Sequence, residues 1–169
     1  MRALLVLGGL TACLVGCAVA SAPKETEVVA RWTSQQTAPV ITRKWMAGFV
    51  PAEAWKVDTL RVYGDGRWVA TRAFAPVSNR PDSVVASGSL SQDALREVLD
   101  KAFERSADGT RFVDLPARVE SGIADVSAET LSLSIENASH SVSLSGTTPP
   151  AYRRFAEALT ARTIAVPFD

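Results

Sequence analysis

The chain has 169 residues, with 18 Lys+Arg against 18 Asp+Glu and so no formal net charge. That balance offers neither the basic excess that nucleic acid demands nor an acidic solvating tail, while 47% hydrophobic residues describe a chain that folds. One His and two Cys are too few for a zinc site or a disulfide scaffold, and no cofactor is expected.

The chain starts Met1-Arg2 and then runs apolar over residues 3–22, where Thr11, Ser21 and the two cysteines are the only polar side chains. A positive start, an apolar centre and a small-residue exit are the three parts of a secretory signal peptide. Leu14-Val15-Gly16-Cys17 is sharper and resembles the bacterial lipobox. The resemblance implies cleavage after Gly16, a diacylglyceryl group on the Cys17 thiol, and acylation (palmitate is the usual chain) of the new N-terminus. It also implies that Ala18, which is not aspartate, directs the protein to the periplasmic face of the outer membrane in a diderm. Three other readings of the segment stay open: ordinary signal peptidase cleavage after Ala18-Val19-Ala20, a single membrane span, and a buried helix. The expected division is a signal peptide at 1–16, a lipidated N-terminus and tether at 17–37, and one domain at 38–169.

Within the domain a first strand is expected over residues 40–45. Residues 59–63 and 67–72 flank Gly64-Asp65-Gly66, and Asp-Gly between β-rich runs signals a hairpin whose two turn residues both need φ > 0. Residues 73–83, with Pro76, Asn79 and Pro81, read as a loop, and 84–86 as a short strand. Ser91 is placed to cap a helix, with Leu90 and Leu95 as its hydrophobic staple. Leu95, Val98, Leu99, Ala102 and Phe103 then form one apolar stripe, and Gly109 lies beyond the helix end. Residues 112–115 are a short apolar piece before Pro116, and 118–130 read as irregular. Leu131, Leu133 and Ile135 alternate with polar residues, as do Val142 and Leu144 with serines, giving an antiparallel pair with one wet face and a turn at Asn137-Ala138-Ser139. A last helix is expected to start at Thr148 with Pro149 in its first turn, burying Tyr152, Phe155, Ala156 and Leu159. The order predicts an α+β, two-layer sandwich: a mainly antiparallel sheet with two amphipathic helices on one face.

Few residues suggest chemistry. His140 is in phase with Val142 and Leu144; it reads as a hydrogen-bonded sheet-edge histidine rather than a general base. No G-x-S-x-G elbow, phosphate loop or Cys/His pair appears. Asp125 and Glu129 flank a strand start and read as solubilising loop carboxylates; Arg153-Arg154 reads as the wet face of the last helix. Trp32, Trp45, Trp55 and Trp68 fall in one stretch and either line a site or pack in the core. Residues 46–55 (MAGFVPAEAW) are unusually apolar for a connection, with Glu53 the single charge. This makes Gly48, Phe49, Val50 and Trp55 candidates for a contact surface, against the alternative that the loop completes the core.

Several features in order resemble the emfourin family of bacterial protein inhibitors of thermolysin-like metalloproteases, and bacterial lipoproteins of similar layout. They are Ala47-Gly48-Phe49 after the first strand, Leu60 to Gly66 around the hairpin turn, the helix ending in Ala102-Phe103, Asp125 before the paired strands, and the Pro-led last helix. Here the loop has one glycine where the family tends to have two, and 51–57 and 73–83 read as insertions. The reading is therefore a lipid-anchored envelope protein that binds an envelope or secreted protein without catalysis and is held to the membrane through Cys17. The rival is a structural envelope lipoprotein with no dissociable ligand, with an enzyme of undefined class behind both.

Overall fold

The computed structural model describes residues 28–120 and 127–163. Seven strands make one sheet: β1 (Pro39–Met46), β2 (Lys56–Tyr63), β3 (Arg67–Phe74), β4 (Ser83–Ser89), β5 (Arg118–Glu120), β6 (Ala128–Ile135) and β7 (Ala138–Ser145). Two helices accompany it, α1 (Gln92–Asp100) and α2 (Pro150–Arg162). The strand order is β4-β3-β2-β1-β6-β7-β5. Every pair is antiparallel except β5 with β7. The fold is thus α+β on a mostly antiparallel sheet.

The β2–β3 hairpin closes as the Asp-Gly signal predicts, with one correction. Among the turn residues only Gly66 has a positive φ, 88°, and its N–H donates to the Tyr63 carbonyl at 2.9 Å. Asp65 keeps a negative φ and instead accepts from the Arg67 N–H at 2.9 Å. The three-residue connection is a turn followed by one left-handed glycine, the usual alternative to the two-residue form. Residues 118–120 and 128–130, read as irregular in the sequence, belong to strands. β5 pairs with β7 over three residues and β6 begins at Ala128, while 121–126, and Asp125 with them, lie outside the described residues. The β6–β7 turn is Glu136-Asn137, so Ala138 and Ser139 belong to β7.

On one face of the sheet Val62, Leu60, Trp68, Ala70, Leu131, Leu133, Ile135, Val142 and Leu144 are buried. They share one apolar cluster with Leu95, Val98 and Leu99 of α1 and Tyr152, Phe155, Ala156 and Leu159 of α2. On the other face the hydroxyls pair across β6 and β7: Ser132 with Ser141 at 2.8 Å and Thr130 with Ser143 at 3.0 Å. Ser91 caps α1 by accepting from the Ala94 N–H at 3.1 Å, and Leu90 and Leu95 are both buried. The helix ends at Asp100, three residues before the predicted stripe does. Its exit tightens into i→i+3 bonds, Lys101 to Val98 and Ala102 to Leu99. Ala102 stays buried, but Phe103 is only half-buried. α2 begins one residue later than Thr148 would cap: Pro149 holds the cap position without a side-chain bond and Pro150 the first turn.

The core's aromatic centre comes from a connection. Phe112, in a short 3-10 turn (Phe112–Asp114), is fully buried. Its ring centroid lies 4.8 Å from Phe155, 6.0 Å from Tyr152 and 5.6 Å edge-on from His140. Residues 28–37, from the stretch expected as tether, lie against the domain. Ala30 is 3% exposed, Arg31 takes part in bonds to Glu136 and Asn137, and the Trp32 Nε1 donates to the Gly64 carbonyl at 3.2 Å.

Trp68 is 8% exposed and lies across edge strand β4 at Gly88. A Cβ added at Gly88 would stand 2.6 Å from the indole. Gly88→Ala is therefore expected to displace Trp68 and destabilise the domain by about 1–3 kcal/mol, the range for overpacking. Thermal denaturation checks this, and Trp68→Phe in the same chain should recover part of the loss.

Candidate binding site

The antiparallel order brings two connections to the same end of the sheet, residues 47–55 between β1 and β2 and residues 75–82 between β3 and β4. Each contains a 3-10 turn, Ala52–Ala54 and Pro76–Ser78, and the two turns are in contact. The Ala75 N–H donates to the Trp55 carbonyl at 3.3 Å, tying one connection to the other. Phe49 is 87% exposed and Val77 61%, while Val50 is exposed to a lesser degree. Gly48 and Trp55 are half-buried. Thus two of the four candidate residues, Phe49 and Val50, stand in solvent at the loop tip, and Trp55 seats the base of the loop. The two 3-10 turns contain no buried residue, so apolar side chains stand in solvent on a loop held by backbone hydrogen bonds.

Behind this end runs a row of polar residues on the otherwise apolar face. Asp58 lies opposite both Arg72 on β3 and Trp45 on β1, and Trp45 lies opposite Glu129 on β6. Asp58 is 2% exposed and receives both arms of Arg72, Nε to Oδ1 at 2.6 Å and Nη2 to Oδ2 at 2.8 Å. The hydrogen bonds to Asp58 hold the Arg72 pKa above its ordinary value. Arg43 Nε donates to Glu129 Oε1 at 2.6 Å and its Nη1 to the Thr160 hydroxyl at 2.7 Å. The same Glu129 oxygen accepts from the Tyr152 hydroxyl at 2.9 Å. Burial, and then the Glu129 charge, push the Tyr152 phenol well above its usual range. The Lys56 ammonium sits 5.6 Å from the Trp45 ring centroid.

Beside Arg43 a groove of about 550 Å³ opens along α2, lined by Glu129, Thr148, Tyr152, Arg153 and Thr160 among others. Its charged groups are two arginines and two glutamates, and the lining holds no serine, cysteine or histidine nucleophile. The network ties α2, through Tyr152 and Thr160, to Arg43 of β1 and Glu129 of β6.

Other expected features fall elsewhere. Cys17 lies outside the described residues. His140 is half-buried and meets Phe112 edge-on; its Nε2 is buried without a hydrogen-bond partner, unlike the hydrogen-bonded histidine expected. The four tryptophans do not gather: Trp68 is in the core, Trp32 lies at the β2–β3 turn under the Arg96 guanidinium at 4.8 Å, and Trp45 and Trp55 belong to the loop end. Among the described residues no group of three or more His, Cys, Asp or Glu could hold a metal ion, and no helix is long and apolar enough to cross a membrane. The ionic row was missed in the sequence, although its signal was present: Asp58, Arg43, Glu129 and Arg72 occupy the same strand phase as Leu60, Ile41, Leu131 and Ala70, which are buried.

No protein-family model matches the sequence, and no curated protein matches it.

Proposed function

We propose that this chain is a lipid-anchored protein of the bacterial cell envelope that acts by binding another protein, without catalysis, through the loop at 47–55. The exposure of Phe49 supports this reading most. A large aromatic side chain held 87% in solvent on a tied-down loop loses apolar hydration cost when a partner covers it, and little conformational freedom is left to lose. In this reading Leu14-Val15-Gly16-Cys17 supplies the anchor, the outer membrane is its destination in a diderm, and α1 and α2 form one amphipathic layer of a two-layer sandwich. The emfourin resemblance makes a thermolysin-like metalloprotease the first partner to assay.

Two measurements test it. Phe49→Ala with Val50→Ala should leave the melting temperature unchanged, because neither side chain is buried, and should abolish partner capture or protease inhibition. A clear drop in melting temperature would mean the loop completes the core instead. Cys17→Ser should abolish incorporation of a fatty-acid label and leave precursor or released protein. Membrane association that persists in the variant with an intact N-terminus would point to a membrane span.

A further inference from the structure

The large apolar side chains that stand in solvent fall at the two ends of the sheet, and the two ends differ. At one end the chain enters the domain. Asn137, in the β6–β7 turn, donates to the Val29 carbonyl and accepts from the Arg31 N–H, both at 3.0 Å. The Gln36 side chain donates to the Ser134 carbonyl at 3.1 Å. Val28 and Val29 are exposed here. At the other end stand Phe49, Val50 and Val77, with Val84 and Val85 at the start of β4. β1 separates the two ends. Pro39 lies opposite Tyr63 beside the β2–β3 turn, and Met46 lies opposite Val57 and Ala128 at the loop end. Its eight residues span about 23 Å.

We propose that the tip made by both connections, 47–55 and 75–82, stays in the aqueous compartment and docks a water-soluble protein, with Val77 in the contact beside Phe49 and Val50, while the end at Val28 faces the bilayer. The inference rests on the Cys17 anchor and on the loop reading proposed above; it adds the class of partner and the side from which the partner comes. Three observations carry it. First, a lipid on Cys17 holds the domain at Val28, the end of the sheet opposite Phe49. Second, the charges at the tip do not suit lipid. Apolar surfaces that enter a bilayer are rich in Lys and Arg, which answer anionic headgroups. Each connection here carries a carboxylate, Glu53 or Asp82, and neither carries a lysine. Their one arginine, Arg80, lies over the Phe74 ring at 5.3 Å, and Lys56, at the start of β2, lies over Trp45. Third, the bond from Ala75 to Trp55 and the contact between the two 3-10 turns fix the connections to each other. A surface ordered in advance lowers the cost of binding a partner of matching shape, and a fluid bilayer offers no such shape.

The test uses the full, processed chain in vesicles of phosphatidylethanolamine and phosphatidylglycerol that carry a nitroxide quencher on their headgroups. A maleimide fluorophore is attached at Val29→Cys, Val50→Cys or Val77→Cys, all exposed positions. Quenching should be several-fold stronger at position 29 than at 50 or 77. Quenching at 50 or 77 equal to that at 29 overturns the inference and would mean that the tip lies in lipid. The unsubstituted chain should take no maleimide, because the anchor thiol is acylated and Cys13 leaves with the signal peptide; labelling of it overturns the anchor reading, and this inference with it. Val77→Asp should then abolish the partner capture or protease inhibition that Phe49→Ala with Val50→Ala abolishes, at unchanged melting temperature. Binding that survives Val77→Asp but not the double variant confines the contact to the first connection and overturns the composite surface. Binding indifferent to both overturns the loop reading as well.

Discussion

Phe112→Ala is expected to destabilise the domain by about 3–5 kcal/mol, the range for truncating a fully buried aromatic. The reason is its position. Its ring touches His140 of β7 and both Tyr152 and Phe155 of α2, so one truncation opens a cavity at a three-way junction whose other members are fixed by strand and helix. Phe103→Ala should cost clearly less, because Phe103 is half-buried outside the end of α1. Leu99→Ala, at 0% exposure, should fall between about 2 and 5 kcal/mol. Denaturant unfolding of the three variants gives the order; a Phe103 effect equal to that of Phe112 would contradict the packing described.

Arg72→Met should be nearly as damaging, at about 3–5 kcal/mol, the range for removing one member of a buried pair. It leaves Asp58, whose side chain is only 3% exposed, without either of its guanidinium bonds. Arg72 is itself 26% exposed, so the reverse change, Asp58→Leu, strands a charge that water can still reach and should cost less. The double variant should be more stable than Arg72→Met alone, because it removes the orphaned carboxylate together with its partner. Equilibrium unfolding of both single variants and the double closes the cycle. If Arg72→Met proves as mild as a surface substitution, within about 0.5 kcal/mol, the pair is not the buried one described.

Much of the architecture could be read from local pattern. Asp65-Gly66 announces the hairpin, the alternation at Leu131 to Ile135 announces β6, and Ser91 with the Leu90–Leu95 staple announces α1. In each case the determining residues lie within a few positions of one another. What could not be read is set by partners far away in the chain. β5 is three residues, two of them charged, and only β7 makes it a strand. Arg43 finds Glu129 86 residues on, so the inward phase of either residue hints at a partner without naming it. Phe103 misled because the stripe was extrapolated past Asp100, where tightening of the last turn breaks the helical phase. Of the binding site, the apolar content of 46–55 was legible, whereas the contact of its 3-10 turn with the one at Pro76–Ser78 was not, since that depends on the antiparallel order of four strands.

The docking of residues 28–37 carries a consequence for how far this protein can act. The Val29 carbonyl accepts from the Asn137 side chain at 3.0 Å, so the chain is already tied to the domain at that point. If Cys17 bears lipid, only eleven residue steps separate the bilayer from Val28. Whatever conformation they take, eleven residues reach at most about 40 Å. The domain is then on a short leash, able to tumble above the lipid headgroups but unable to cross an envelope compartment much wider than itself. Anything that Phe49 meets would have to come to the membrane surface, and a large complex would be admitted only from the side that faces away from the lipids.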